Sequence, residues 1–324
     1  ANVMIAVGNK GVVLNEPSVV AFNKKLDEVI AVGDEAHRMI GRVPDYISVV
    51  RPLSDGVISD HKMTEKMIAC FIEKVTGKQL FMPNIIMCIP SSITDVESRA
   101  VIEAAKIAGA RQVYLIEEPV AAIMGAGVDI SAADGNMVVD IGGGTTDIAV
   151  VSMNGVVAKS SVKMAGSKLD KAIVKYVSSR YRILIGEKTA ENAKMAAANV
   201  YSPDGSRKIV VKGRHLVRGL PEKVEVTDYD IYEAIIDSIR EMISAVKDVM
   251  EKTPPELAGD IYRNGVYLTG GGAMLYGLDR LMSSELGVKC CVADDPISCV
   301  ARGTVSAFKN IDKLLDGFQH VSMF

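Results

Sequence analysis

The sequence contains no tryptophan, only four histidines and only five cysteines among its 324 residues. An odd number of cysteines with no CxxC pair favours reduced side chains over a disulfide framework. With so few histidines and no HExxH motif, we expect no zinc site built from protein ligands. No apolar run is long enough to span a bilayer, and we expect no signal peptide. The net charge of −3 gives no electrostatic basis for binding nucleic acid.

The composition is typical of a soluble globular protein with room for two domains. Hydrophobic residues make up 48% of the chain and charged residues 24%. Strand and helix patterns alternate in both halves, which predicts an α/β fold. Because no low-complexity linker separates the halves, we expect two domains packed across a cleft.

Periodicity predicts several individual elements. The apolar run "NIIMCIP" predicts a buried strand, and the spacing over 62–77 and 227–252 predicts two helices. Thr94 and Glu97 form a capping-box pattern at the start of a further helix. The helix over 227–252 is predicted to bury one face, which consists of Ile231, Ile235, Ile239, Met242, Val246 and Val249.

The stretch "NMVVDIGGGTTDIAVV" at 136–151 predicts a strand, a turn and a second strand. Asp140 ends the first apolar run, where an ionised carboxylate is costly unless it is solvated, paired or near a cation. We expect Gly142, Gly143 and Gly144 to adopt positive φ, so that consecutive N–H groups form an anion-binding nest. Thr145 and Thr146 add hydroxyl donors to this turn. The second strand is predicted to end in an Asn154-Gly155 hairpin turn.

This stretch therefore predicts a phosphate-cradling turn, with Asp140 placed to hold a metal through water. It contains neither GxxxxGK[ST] nor GxGxxG, and both of those loops run into a helix rather than a strand. The alternative interpretation is a tight glycine-rich hairpin with an exposed aspartate.

A second glycine-rich turn, Gly270–Gly272, lies between a predicted strand and a predicted helix. Its N–H groups suit a phosphate, and its bare backbone suits a ribose or a base. Alone, such a turn is as often a simple tight connection. We expect the two glycine-rich turns to lie in the two halves, on opposite walls of the cleft.

Two adjacent carboxylates, Glu117 and Glu118, end another predicted strand just before Pro119. Carboxylates at the carboxyl ends of strands commonly face the cleft of an α/β fold. The alternative is a solvated pair at a helix start, where acidic side chains favour the helix dipole.

The motifs "DIGGGTTD", "IEEPVAA" and "LTGGGAMLYGLDRL" together resemble the actin, Hsp70 and sugar-kinase superfamily. Further segments, among them "GARQVYLIEEPVAA" and "DDPISCVARGT", resemble the MreB family of bacterial actins over essentially the whole chain. The resemblance implies an actin-like ATPase fold, in which two duplicated RNase H-like domains, each with an inserted subdomain, surround a nucleotide cleft. It predicts domain I at 1–136 plus 305–324, with an insertion near 18–60. Domain II is predicted at 137–304, with an insertion near 174–240.

The resemblance also implies ATP hydrolysis with Mg²⁺, and it assigns roles to residues. Asp140 holds Mg²⁺ through water, while Glu118, helped by Thr145, positions the attacking water. The nucleotide-binding residues that the resemblance implies are Asn2, Gly142, Gly143, Gly144, Thr145, Thr146, Glu187, Glu191, Lys194, Gly270, Gly271, Gly272 and Met274.

The chain departs from the family pattern at three places. The first phosphate loop of the family is present only as Ala1-Asn2. Asp147 stands where the family usually has glutamate, and "KMAAANVY" replaces a more acidic continuation of the adenosine-binding helix.

Membership of the family further implies homopolymeric filaments that determine cell shape at the inner face of the cytoplasmic membrane. The membrane contact maps onto an apolar loop containing Leu80, Phe81 and Met82, which without the resemblance would more often be core. Proteins of cell-shape or cell-wall synthesis are the expected partners. Two alternatives stay open: a nucleotide-binding filament protein with little hydrolysis, and a monomeric enzyme of the sugar-kinase kind.

Overall fold

The computed structural model describes residues 2–54, 57–77, 83–309 and 318–320. It contains ten α-helices within these residues, and none of them is long and apolar enough to cross a membrane. The helices are α1 (Asp34–Arg38), α2 (His61–Thr76), α3 (Asp95–Ile107), α4 (Glu118–Gly125), α5 (Gly166–Tyr181), α6 (Glu187–Ala197), α7 (Asp228–Lys252), α8 (Pro255–Asn264), α9 (Leu278–Leu286) and α10 (Cys299–Lys309).

Strands alternate with these helices along most of the described chain. They are β1 (Asn2–Val7), β2 (Gly11–Pro17), β3 (Val20–Asn23), β4 (Glu28–Val32), β5 (Ile47–Val50), β6 (Leu53–Ser54), β7 (Val57–Ile58), β8 (Asn84–Ile89), β9 (Gln112–Glu117), β10 (Asn136–Ile141), β11 (Thr146–Ser152), β12 (Gly155–Val162), β13 (Ile183–Leu184), β14 (Lys208–His215), β15 (Pro221–Thr227), β16 (Val266–Thr269), β17 (Cys290–Val292) and β18 (Phe318–His320).

The chain divides into two compact units. Unit 1 comprises Ala1–Ala132, Met153–Val156 and Ser298–Phe324, and unit 2 comprises Ala133–Ser152 and Val157–Ile297. The chain passes from one unit to the other at 132/133 and 297/298. The sequence predicted these domain boundaries at 136/137 and 304/305. The domain assignment itself stays a prediction.

Unit 1 contains several small sheets covered by helices. Strands β1 and β2 form an antiparallel hairpin, β4-β3-β5 form a three-stranded sheet, and β8 pairs in parallel with β9. The run "NIIMCIP" forms the predicted strand as β8, but the expected burial is wrong, because only Ile89 of this strand is buried. The predicted helix over 62–77 is confirmed as α2. Thr94 and Glu97 form the predicted capping box at the start of α3.

Unit 2 is built on a five-stranded sheet in the order β12-β11-β10-β16-β17. Strands β10 and β11 are antiparallel and buried along their whole length, whereas β10 and β16 are parallel. A second, three-stranded sheet has the order β13-β14-β15. The strand, turn and second strand predicted over 136–151 are confirmed.

Helix α7 supplies much of the core of unit 2. All six residues predicted on its apolar face are buried, because their spacing places them on one side of the helix. A capping box of Thr227 and Asp230 begins the helix, and Pro254 and Pro255 follow its end.

The turn between β11 and β12 differs from the prediction by one residue. The two residues with positive φ are Met153 (51°) and Asn154 (59°), and Gly155 already belongs to β12. A two-residue hairpin loop of type I′ needs positive φ at both central positions, and Asn154 satisfies the second of them. The predicted Asn154-Gly155 turn is therefore wrong in register by one residue, because β11 ends at Ser152 and β12 begins at Gly155.

Candidate functional site

Asp140 lies near the carboxyl end of the central strand of unit 2, between two polar neighbours. It is paired in register with Asp147 on β11 and with Thr269 on β16. The Thr269 hydroxyl donates a hydrogen bond of 2.7 Å to Asp140 Oδ1. All three side chains are buried, so this end of the sheet holds two neighbouring carboxylates away from bulk water.

The electrostatics at Asp140 favour a bound cation. Burial, with a smaller contribution from the charge of Asp147, raises the pKa of Asp140 to about 7 against the lowering effect of the Thr269 hydrogen bond. A divalent cation would stabilise the ionised form. The described residues contain no cluster of three or more His, Cys, Asp or Glu side chains suited to a metal. The two buried carboxylates of Asp140 and Asp147 suit a cation such as Mg²⁺, which keeps several of its waters and needs only one or two carboxylates.

The first glycine-rich turn is fixed by main-chain hydrogen bonds. The Gly142 N–H donates to the Thr145 carbonyl oxygen at 2.9 Å. Two amides at the start of α5, those of Gly166 and Ser167, donate to the carbonyl oxygens of Gly142 and Gly143 at 3.2 and 2.8 Å. The expectation of positive φ is wrong for Gly142, since its turn closes without that conformation.

The two threonines of this turn are in different environments. The Thr146 hydroxyl is fully buried and donates to the Met164 carbonyl oxygen at 2.6 Å. Its proton is therefore committed within the protein. Thr145 is 7% exposed. The roles of Thr145 and Thr146 in binding phosphate stay predictions.

The second glycine-rich turn packs directly against the first. Gly270 has φ 78°, and a Cβ atom there would lie 2.4 Å from the Ile141 carbonyl oxygen. A Cβ atom at Gly272 would lie 2.2 Å from Ile141 Cγ2, whereas one at Gly271 would have no atom within 4 Å. Gly270 and Gly272 are therefore required by close packing, while Gly271 faces open space.

The two turns are not in different halves, and the expectation of opposite walls is wrong. Both belong to unit 2 and follow the neighbouring parallel strands β10 and β16. Since the carboxyl ends of parallel strands lie at the same edge of a sheet, pairing of β10 with β16 brings the turns together.

Sequence reasoning missed a buried ion pair behind the first turn. Lys194 Nζ lies 2.8 Å from Asp170 Oδ1, with only 14% and 12% of the two side chains exposed, and it also donates to the Gly166 carbonyl oxygen at 3.1 Å. Burial raises the pKa of Asp170, and Lys194 opposes that shift. The available signal was an aspartate beside Leu169 on the buried face of α5.

Three other predicted nucleotide ligands of unit 2 are exposed. Glu187 and Glu191 are exposed on α6, and both raise the pKa of Asp170 slightly through their charge. Met274 is 61% exposed at the end of a short 3₁₀ segment, Gly271–Met274, which separates the second turn from α9.

The residues of unit 1 that were predicted to act on water, nucleotide or membrane are Glu118, Asn2, Leu80, Phe81 and Met82. Glu118 is the first residue of α4 and is half-buried, and Glu117 before it accepts a hydrogen bond of 2.9 Å from the Ser91 hydroxyl. Asn2 Nδ2 donates to Asn15 Oδ1 at 2.8 Å across the β1–β2 hairpin. The predicted membrane residues Leu80, Phe81 and Met82 lie outside the described residues.

Solved structures define the class of fold. The chain superimposes on crystal structures of MreB 5 of Spiroplasma citri bound to AMPPNP (TM-score 0.89) and of MreB5 bound to ADP (TM-score 0.91). Each comparison has 36% sequence identity and covers 97% of this chain and 94% of the other. A MamK double helical filament, 18% identical with a TM-score of 0.79 over 94% of this chain and 97% of that one, shares the fold. The molecule is an actin-like protein, as the sequence predicted.

Sequence comparison identifies the family within this class. The family model for MreB/Mbl protein matches residues 1–316. The cell shape-determining protein Mbl of Bacillus subtilis is 50% identical over 97% of this chain and 95% of its own length. The cell shape-determining protein MreB of Escherichia coli K12 is 48% identical over 96% and 92%. The chain belongs to the MreB/Mbl family.

Proposed function

We propose that the chain binds ATP and ADP with Mg²⁺ through Asp140 and the two glycine-rich turns. The observation that carries the proposal is the meeting of both turns beside a buried carboxylate at one edge of the sheet. Gly271, whose side-chain position opens into free space, supplies a bare backbone for the ribose or base. The Spiroplasma relative, at 36% identity, has been crystallised with AMPPNP and with ADP.

Alanine at Gly271 and alanine at Gly272 are expected to have different effects. Gly271→Ala adds a methyl group to open space, so the protein should fold normally and bind nucleotide at least about 3-fold more weakly if the ligand lies there. Gly272→Ala forces a clash with Ile141, and overpacking of this kind costs about 1–3 kcal/mol of unfolding free energy. Thermal unfolding and titration with a fluorescent ATP analogue measure the two effects. Wild-type affinity in a folded Gly271→Ala protein would place the nucleotide elsewhere.

We infer that the chain hydrolyses ATP by in-line transfer of the terminal phosphoryl group to water. Mg²⁺, when bound, supplies positive charge that offsets the charge of the phosphates. Glu118 accepts a hydrogen bond from the attacking water and orients it, with Thr145 as the second orienting group. The amides of the first turn and the hydroxyl of Thr145 offer donors to the phosphate oxygens. Positioning and charge stabilisation account for most of the rate enhancement in this type of reaction.

We propose further that the chain polymerises with itself and that its filaments determine cell shape at the inner face of the cytoplasmic membrane. Both curated relatives are named cell shape-determining proteins, and the MamK structure of the same fold is a double helical filament. Proteins of cell-wall synthesis are the proposed partners.

The proposed membrane contact rests on Leu80, Phe81 and Met82 with Lys78 beside them. Insertion of Leu80 and Phe81 supplies about 1.5–3 kcal/mol for each side chain, and Lys78 about 1 kcal/mol toward anionic lipid. This binding free energy is marginal for one molecule on a membrane, but a filament repeats the segment and binds by avidity. Replacing Leu80 and Phe81 with serine is therefore expected to abolish co-sedimentation of filaments with anionic vesicles and to spare polymerisation in solution.

The matched control for the membrane variant replaces two other apolar side chains of the same unit. Val96 and Ile107 on α3 are 75% and 65% exposed, so their replacement with serine should leave the protein folded and bound to vesicles. Unchanged vesicle binding of the Leu80/Phe81 variant would assign the membrane contact to another part of the protein. Loss of folding in that variant would instead place the pair in the core.

A further inference from the structure

An open pocket in unit 2 lies apart from the proposed nucleotide site. It has a volume of about 370 Å³ and is formed by the loop that follows α6 and the segment that leads into α9. Sites for small molecules typically enclose about 300–1,000 Å³, so one small ligand fits here. The side chains that decide its chemistry are Tyr201, Asp204, Ser206, Arg207, Tyr276 and Arg280. No residue that lines the pocket is among the predicted nucleotide ligands.

Hydrogen bonds hold the two walls of this pocket in place. The buried carboxylate of Asp228 accepts hydrogen bonds from the N–H groups of Asp204 and Gly205 at 3.3 and 2.8 Å. The Val200 N–H donates to the Tyr276 carbonyl oxygen at 3.0 Å and so joins one wall to the other. Because a site that is already ordered loses little conformational entropy on binding, this pocket is suited to a small ligand.

Two arginines give the pocket positive charge. The Arg207 guanidinium lies over the Tyr276 ring, 4.6 Å from its centroid, and donates one hydrogen bond of 3.3 Å to the Ala196 carbonyl oxygen. A guanidinium has five N–H donors, so most of those of Arg207 remain for a ligand. Arg280 is exposed in the first turn of α9, and neither arginine forms an ion pair within the residues that the structure describes. Guanidinium groups bind phosphate and carboxylate oxygens through paired N–H donors, so the pocket is suited to an anion.

One carboxylate and two phenols line the same pocket. Asp204 Oδ1 accepts a hydrogen bond of 2.9 Å from the Ser206 N–H. Hydrogen bonds from the Ser206 hydroxyl and N–H hold the pKa of Asp204 below its usual range, so this carboxylate is ionised at neutral pH. Tyr201 and Tyr276 are 48% and 49% exposed, and their hydroxyls have no hydrogen-bond partner in the described part of the chain. Asp204 and the two phenols are therefore suited to ligand hydroxyl groups, which both donate and accept.

We propose that this pocket binds a small soluble phosphate monoester that carries hydroxyl groups, such as a sugar phosphate. Arg207 and Arg280 bind the phosphate, and Asp204 accepts a hydrogen bond from a ligand hydroxyl. The lining contains two arginines and one aspartate, a formal charge of +1, although the whole chain has a net charge of −3. A phosphate monoester carries close to two negative charges at neutral pH and three acceptor oxygens, so it matches two arginines better than a single carboxylate does.

Titration calorimetry of the nucleotide-free protein with glucose 6-phosphate, inorganic phosphate and glucose tests the phosphate contact. Glucose 6-phosphate should bind most tightly and glucose should not bind at the same concentrations. Arg280→Gln should weaken glucose 6-phosphate binding at least about 10-fold, because the charged donors to the phosphate are lost. Arg240→Gln, which changes an exposed arginine on α7 of the same unit, is the matched control and should bind like the wild type. Thermal unfolding shows whether each variant is folded.

Asp204→Asn tests the hydroxyl contact separately from the charge. The asparagine oxygen still accepts from the Ser206 N–H, so the loop should keep its conformation. Inorganic phosphate should bind up to about 5-fold more tightly, because a neighbouring negative charge is removed. That effect is common to both ligands, so the affinity for glucose 6-phosphate relative to inorganic phosphate should fall about 5-fold, since the hydroxyl has lost an ionised acceptor.

Other outcomes overturn the proposal in distinguishable ways. If wild type and Arg280→Gln bind glucose 6-phosphate equally, or neither binds it at millimolar concentration, the pocket is not a phosphate site. An unchanged ratio of the two affinities in Asp204→Asn overturns the hydroxyl contact. Vesicles containing phosphatidylglycerol that bind wild type but not Arg280→Gln, without binding of glucose 6-phosphate, overturn the soluble ligand in favour of a lipid headgroup. If Arg280→Gln is unfolded, Tyr201→Phe replaces it and should weaken glucose 6-phosphate binding about 3-fold or more, because one donor is lost. These titrations contain no ATP, so failure of the proposed nucleotide site leaves them interpretable.

Discussion

Replacing Glu118 with alanine is expected to lower steady-state phosphate release about 10-fold or more and to leave nucleotide affinity within about 3-fold of wild type. The change removes the group proposed to orient the attacking water. The proposed nucleotide contacts in unit 2 remain, so binding does not depend on this carboxylate. Phosphate release at saturating ATP and titration with a fluorescent nucleotide analogue measure the two quantities separately.

Glu117 provides the matched control for this experiment. It carries the same carboxylate one residue earlier, but its Oε2 already accepts a hydrogen bond from the Ser91 hydroxyl. Glu117→Ala should therefore affect hydrolysis less than Glu118→Ala. If Glu118→Ala hydrolyses ATP at the wild-type rate while Glu117→Ala does not, the two roles are reversed. If neither variant changes the rate, neither carboxylate orients the water.

Replacing Asp140 with asparagine is expected to weaken Mg²⁺-dependent nucleotide binding and to stabilise the ligand-free protein at neutral pH and above. Mg²⁺ and nucleotide strengthen each other's binding reciprocally, and such couplings are typically 5–150-fold. In the variant this factor should fall toward one. Nucleotide titrations with and without Mg²⁺ measure it. The proposed metal role of Asp140 is wrong if Mg²⁺ strengthens binding equally in the variant and in the wild type.

The pH dependence has a definite sign. The pKa of Asp140 is raised from 3.8 to about 7 in the folded protein, chiefly by burial, so the folded chain holds a proton that the unfolded chain releases between pH 4 and 7. The unfolding free energy of the ligand-free protein therefore falls as the pH rises through this window, by about 4 kcal/mol at most. Urea unfolding at pH 5 and pH 8 should show a smaller fall for Asp140→Asn than for the wild type.

Thr269→Val separates the charge of Asp140 from its hydrogen bond. The variant keeps the carboxylate but removes the hydroxyl that donates to it. Mg²⁺-dependent binding should persist, and the ligand-free protein should lose stability above pH 7, because the ionised form of Asp140 has lost a donor. A variant that loses the Mg²⁺ effect while keeping Asp140 would assign the metal to another group.

Much of the local structure followed from the sequence because the signals are local. The apolar face of α7 and the capping box at Thr94 depend on residues a few positions apart, and both occur as predicted. The position of Asp140 at the end of a buried strand was equally clear, since an isolated aspartate interrupts an otherwise apolar run.

The arrangement of the two glycine-rich turns did not follow from the sequence. Their contact depends on pairing between β10 and β16, strands that lie more than 120 residues apart, and no local pattern encodes that order. The ion pair of Lys194 with Asp170 likewise joins two helices. In both cases tertiary packing decides which residues meet, and pattern reasoning placed the turns in different halves for that reason.

The site was predicted as a set of residue types rather than as a geometry. Gly270 and Gly272 are glycines because Ile141 fills the space beside them, whereas Gly271 faces open space. The sequence "GGG" cannot distinguish these three positions. Nor could it show that the Thr146 hydroxyl is already bonded to Met164.

The measurement that tests the account most directly is the sedimentation of the purified protein with Mg²⁺ and ATP, ADP or no nucleotide, with phosphate release followed in the same samples. The account predicts that polymer pellets with ATP in preference to the other two conditions and that phosphate appears as polymer forms. Pelleting without phosphate release would identify a filament protein that binds nucleotide with little hydrolysis. Protein that remains in the supernatant under all three conditions would contradict a nucleotide-driven polymer.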